Sequence, residues 1–290
     1  MARPVFSGDA MNRLTNAAAA ILAGTFAHPA SAQDEPGDRG AERGSVANDR
    51  RATKTRLYLS SGLSYANSNG NGTARTNYYR LPLGAQLSRG PLRLSATIPY
   101  VVVRGSGAIV GDGEDDVEDI DVVPVSDRNR EGWGDLRATA RYRLDKFAQS
   151  GFEVDLMGQV KLPTASREKR LGTGEVDYAL GAKLSRDLGP LEPFVSAQYR
   201  INGDRPGFNY RNTIATSVGI GFQLNRRTNA SFSYDYAQSR IQRGSGFHSL
   251  DAGVSTRLSS RVSVRGSAAI GLSGKGTDLQ LGSRITWRAF

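Results

Sequence analysis

The chain has 290 residues, 34 glycines, no cysteine and a formal net charge of +10. Without cysteine there is no disulfide framework, no thiolate-ligated metal, no cysteine nucleophile and no lipoprotein anchor. No run approaches the about 18 apolar residues of a membrane helix, and the mean hydropathy is −0.42; both exclude a helical membrane protein but leave open a membrane barrel, whose strands are polar on one face.

At the N-terminus, Arg13 and Asn16 precede the apolar run Ala17 to Ala27, and HPASA follows it. This is the layout of a signal peptide cleaved after Ala32, so residues 1–32 are set apart from the fold, with Met1 and Met11 both eligible as the start. Residues 33–54 are polar, mixed in charge and without periodicity, and read as a flexible periplasmic segment. Removal of Arg3, Arg13 and Asp9 with the leader leaves the chain strongly basic. An exported chain does not meet the genome, and no helix-turn-helix, zinc or RNP pattern is present, so nucleic acid is not an expected partner.

From residue 55 to 290 a two-residue rhythm recurs, which predicts β-strands, because only a period of 2 sends alternate residues cleanly to opposite faces. The apolar phase marks twelve segments: 57–65, 79–87, 92–100, 136–144, 152–162, 176–184, 195–201, 214–224, 230–236, 250–258, 262–272 and 279–289. Most have the length of a tilted strand crossing a bilayer. Every second link is short, at 89–91, 145–151, 187–192, 225–229 and 259–261, whereas the others are longer, with Val103 to Gly132 the extreme. Short periplasmic turns alternating with longer outer loops predict an all-β fold, a single antiparallel transmembrane barrel of about 12 strands. Tyr65, Tyr78, Tyr79, Tyr100, Trp133, Tyr178, Tyr199, Tyr210, Tyr236, Phe247 and Trp287 lie mostly near strand ends, where aromatic rings are expected at the headgroup level.

The stretch LRATARYRL, Leu136 to Leu144, shows what the rhythm implies. Leu136, Ala138, Ala140, Tyr142 and Leu144 would meet lipid, while Arg137, Arg141 and Arg143 would point into a lumen. The same inward phase gives Arg80, Arg93, Asp135, Glu153, Asp155, Lys161, Asp177, Lys183, Asp235, Asp251, Arg257, Arg265, Arg284 and Arg288. Charges at these depths persist where they pair or touch water, so a mixed, net basic channel lining is expected. The arginines of 136–144 should face Glu153, Asp155 and Asp177 on the next two strands.

The middle of the chain also resembles a family. GWGDLRATARYRL, VDLMGQVKLPTAS, LGTGEVDYALGAKL and FVSAQYRINGD are similar, in order and spacing, to the outer-membrane barrels linked to the meta-cleavage pathway of phenol degradation, often labelled as transporters. The matching positions are Gly134, Asp135, Tyr142, Arg143, Lys161, Leu162, Pro163, Thr164, Gly172, Thr173, Gly174, Asp177, Tyr178, Tyr199, Arg200 and Gly203. The resemblance implies an outer-membrane barrel and, by association, uptake of small organic molecules. Read from the residues, the KLPT and GTG pieces have a structural role at an outer strand end and a tight turn. Barrels of this kind usually end in Phe, but Phe290 falls in the phase of Arg288, which a bulge near the end would reconcile.

Sites of chemistry are sparse. His248 is the one histidine beyond the leader, and the position two residues on, where a barrel lipase carries its serine, is Leu250. Ser249 points the other way, so no triad forms and no enzyme is expected. Asp112, Glu114, Asp115, Asp116, Glu118, Asp119 and Asp121 crowd the longest outer loop, but their spacing fails the EF-hand pattern. A solvated acidic loop, or one folded against the basic lumen, is the expectation; no metal or cofactor is assigned.

These features predict a bacterial outer-membrane channel for passive uptake of small solutes, aromatic or anionic compounds among them, through a net basic lumen. Its partners would be outer-membrane lipid and lipopolysaccharide, the solute, and the outer-membrane insertion machinery. The alternative is a structural or interaction barrel whose lumen is closed, with all its charges paired, and whose outer loops do the work.

Overall fold

The computed structural model describes residues 54–68, 76–105, 129–144, 150–204, 210–240, 246–273 and 277–290. The leader, nearly all of the lead-in segment and the acidic stretch 112–121 lie outside these residues. The strands are β1 (Arg56–Ser68), β2 (Thr76–Arg89), β3 (Leu92–Arg104), β4 (Asn129–Trp133), β5 (Leu136–Leu144), β6 (Phe152–Leu162) and β7 (Asp177–Arg186). They continue as β8 (Leu191–Ile201), β9 (Thr213–Gln223), β10 (Thr228–Ala237), β11 (Phe247–Arg257), β12 (Val262–Gly271) and β13 (Leu279–Arg288). Each pairs antiparallel with its neighbours, and β1 pairs with both β2 and β13, which closes the sheet into a barrel. β4 and β5 both pair with β3 and are two lengths of one stave, so the cylinder has twelve staves. Closure leaves no open edge, the condition for a sheet surrounded by hydrocarbon.

Sequence alternation sets the two faces. On β7, Asp177, Ala179, Lys183 and Ser185 are buried, whereas Tyr178, Leu180 and Leu184 are exposed, Leu180 to 67%. The same pattern covers the outside with leucine, valine and isoleucine from β1 to β13, a surface that fits acyl chains and would be untenable in water. Near the ends of the staves with long links, Tyr65 packs on Tyr79 with ring centroids 5.2 Å apart, and Tyr100 meets Trp133 edge-on at 5.4 Å. The short turns and both described termini share the other end; Gly90 turns the β2–β3 hairpin with φ of 56°, a left-handed conformation suited to glycine.

Three sequence expectations need correction. First, 103–132 is not all loop: β3 runs on to Arg104 and β4 recovers 129–133. A bulge hides this stave from a period-2 reading, because β3 pairs Thr97 with Arg137 and Tyr100 with Trp133. Two residues of β3 thus oppose three residues, Gly134 to Leu136, and the phase shifts by one. Second, Tyr78, Tyr210 and Phe247 are buried instead of lying at the headgroup level; Tyr78 sits one residue out of phase with exposed Tyr79. Third, the inner face is not uniformly polar: Ala66, Val101 and Val103 join Tyr78 in a buried apolar cluster.

Two facing prolines lie beside the bulge. Pro82 of β2 lies directly opposite Pro99 of β3, and neither has an N–H to give to a ladder. On one flank of this pair the β1–β2 ladder is interrupted between Ser61↔Leu83 and Ser64↔Arg80. On the other flank lies the Gly134–Asp135 bulge, where Gly134 N donates to Pro99 O at 2.8 Å.

Candidate functional site: the barrel interior and outer mouth

The inward phase carries the charges into the barrel. Arg80, Arg137, Asp155, Lys161, Asp177, Lys183 and Arg265 are buried on the inner face, and Arg141, Arg143, Glu153, Arg257, Arg284 and Arg288 are partly so. Arg143 reaches Glu153 at 3.4 Å and Asp155 at 3.2 Å, as alternation on adjacent staves requires. Lys183 lies 3.8 Å from Glu192 and 4.4 Å above the Phe194 ring. Asp177, however, is not met by the β5 arginines: its cationic partners are Lys161 and Arg240. Arg137 stands opposite Lys161, Arg93 opposite Arg141, and Arg265 opposite Arg284. Like charges facing each other across a ladder are unfavourable, so these three pairings carry a cost to stability.

At the outer mouth the GD, KLPT, GTG and Asp177 pieces converge on one buried cluster. Lys161, 2% exposed at the end of β6, donates to Thr173 Oγ1 at 2.6 Å and lies 3.3 Å from Asp135 and 2.8 Å from Asp177. Asp135 also accepts from Ala165 N at 3.0 Å. Thr164 secures the bulge: its Oγ1 accepts from Leu136 N at 2.8 Å and donates to Gly134 O at 3.0 Å. Backbone groups that the bulge strips of ladder partners are thereby satisfied by one side chain. A Cβ on Gly172 would fall 2.5 Å from Asp135 Oδ2, so glycine is needed for the chain to pass this carboxylate. The structural role read for these pieces in the sequence is what this geometry supplies.

The link between β6 and β7, residues 163–176, folds inward from this cluster. Ala165 and Leu171, 3% exposed, pack on the inward-facing Ala66, Tyr78, Val101 and Val103 of β1, β2 and β3. Arg130 of β4 donates to Lys169 O at 3.4 Å and Arg170 O at 3.2 Å, and Lys169 Nζ donates to Glu131 O at 3.1 Å. The link therefore crosses the inner side of the mouth and rests on the wall beyond its own staves. Periodicity could not find this, because the link has none; the unbroken VVV of 101–103, apolar in both phases, is the one sequence signal of an apolar patch inside. Arg240 was likewise invisible, lying outside any strand.

His248 sits on the outward face against Tyr236, with ring centroids 4.9 Å apart, and its Nδ1 shares a hydrogen bond with Tyr234 Oη. Ser249 is buried on the inner face and donates to Asp251 at 2.8 Å. The two side chains lie on opposite sides of the wall and do not form a nucleophile and base. Phe290 follows the last strand with its side chain exposed, and its carbonyl accepts from Leu57 N at 3.3 Å.

A family model described as "Putative MetA-pathway of phenol degradation" matches residues 52–289. The chain belongs to that family. Among solved structures, an outer membrane channel from Pseudomonas putida F1 is similar with a TM-score of 0.63 and 14% identity, over 81% of this chain and 94% of that one. The CymD monoaromatic hydrocarbon channel matches with a TM-score of 0.41 and 13% identity, over 81% of this chain and 88% of that one. No curated protein matches. The family member described here thus has the fold of an outer-membrane barrel, and its closed ladder and apolar exterior place it in the bacterial outer membrane.

Proposed function

We propose that the protein is a passive outer-membrane channel for small solutes, whose basic interior favours anionic and polarised aromatic compounds. The observation that carries this reading is the middle of the inner wall. Ser60, Gly84, Thr97, Thr139, Gly181, Ser196 and Ser217 face inward from seven staves, and each keeps partial solvent exposure. Glycines and small polar side chains leave room for water where larger ones would pack a core, and twelve staves enclose more space than eight. The residues put forward as channel-lining, from one rim of the barrel to the other, are Arg80, Arg137, Arg141, Arg143, Glu153, Asp155, Lys161, Asp177, Lys183, Arg257, Arg265, Arg284 and Arg288. Export through the 1–32 leader, contact of the outer aromatic rim with lipopolysaccharide, and delivery by the insertion machinery belong to the same reading. No catalytic role is included, since His248 and Ser249 face apart.

The test is to refold the chain without its leader into planar bilayers under a salt gradient. Stepwise currents with a reversal potential favouring anions are expected, and Arg93→Glu with Arg141→Glu should shift that potential toward cations. Silence at all voltages would overturn the reading and favour a closed barrel with working loops, an alternative to which the inward-folded β6–β7 link lends support.

A further inference from the structure

We propose that the Asp177 carboxylate is a latch that positions the β6–β7 link across the outer mouth and so limits the size of solute admitted; this rests on the channel reading above. One oxygen, Oδ1, accepts from Gly203 N at 2.9 Å, and the other lies 2.8 Å from Lys161 Nζ and 3.3 Å from Arg240 Nη1. Gly203 lies in the β8–β9 link and Arg240 in the β10–β11 link, while Lys161 holds Thr173 of the β6–β7 link. A single side chain, itself 4% exposed, therefore ties together three outer links that have no ladder in common.

The tie is electrostatic at one end and apolar at the other. Arg240 is 2% exposed and Lys161 equally buried, so loss of the Asp177 charge would leave two desolvated cations close together with Asp135 as the remaining acid beside Lys161. Their repulsion is relieved when the links separate. Leu171 then loses its support and lifts from Val103, which is fully buried in the latched state. The polar cluster thus sets whether the apolar contact that narrows the mouth can persist.

The absence of native cysteine makes the latch directly measurable. In the full-length barrel carrying Val103→Cys, reconstituted in liposomes, a small charged methanethiosulfonate reagent should label the thiol slowly. Adding Asp177→Asn should raise the labelling rate at least about tenfold and enlarge single-channel conductance, and Asp177→Glu should fall between the two. Arg240→Gln, far in sequence from the reporter, should accelerate labelling several-fold through the same carboxylate and serves if Asp177→Asn does not give the heat-modifiable band of a folded barrel. Unchanged labelling in the folded Asp177→Asn barrel, or in Arg240→Gln where that variant stands in for it, overturns the latch even if the protein conducts. Accelerated labelling without current in any variant upholds the hold of Asp177 on the link but overturns the channel reading, and with it the limit on solute size.

Discussion

Lys161 shows how much rests on one side chain at the mouth. It neutralises Asp135 and Asp177 in a site from which water is excluded, so Lys161→Met, close in length but uncharged, would leave two buried carboxylates with one cation fewer. We expect this to cost about 3–5 kcal/mol, read as a lower urea midpoint for the barrel refolded in micelles. Gly172→Ala should also destabilise by roughly 1–3 kcal/mol, since the new methyl group meets the Asp135 carboxylate, which would have to give up its contacts with Ala165 N and Lys161 to make room. Phase alone placed Lys161, Asp135 and Asp177 indoors, because alternate residues on a stave share a face. It could not reveal that they converge, nor that Arg240 joins them, because convergence depends on how links fold and links carry no rhythm.

At the level of the element, the interrupted stave β4–β5 is the most informative part of the fold. Trp133 and Leu136 both face outward although they stand an odd three positions apart, and the residue inserted at the bulge turns Asp135 toward Lys161. Thr164→Val preserves shape while removing both hydrogen bonds that secure the bulge, and we expect a loss of about 1–3 kcal/mol, visible as an earlier denaturation midpoint with the strand content by circular dichroism unchanged. The other eleven staves were legible to within a few residues at each end because their apolar residues keep step throughout. This one was read short, since the bulge breaks the step at the point where the long 103–132 segment obscures it.

For the whole molecule, the deciding feature is that apolar residues face out and polar ones face in, the reverse of a soluble sandwich core. Substitutions near mid-wall should therefore respond to face rather than to chemistry. Leu156→Arg, on the exposed face, is expected to cost about 2–4 kcal/mol in bilayers, whereas Gln159→Arg on the inner face should refold with near-parental stability but altered conductance. Measuring folding free energies in lipid vesicles for both variants checks this directly. Fold class and membrane location were readable from alternation and from the lengths of successive links. The inward fold of the β6–β7 link was not, since that segment carries no rhythm and turns back on the wall.

The facing prolines of β2 and β3 bear on the shape of the cylinder. A barrel keeps its girth because amide bonds run around it like a hoop, and here that hoop has a missing link on either side of Pro82 and Pro99. When pressed by its bilayer or by loops prised apart above, the circle should give way first along this quadrant, flattening toward an oval while the opposite arc from β6 to β12 stays round.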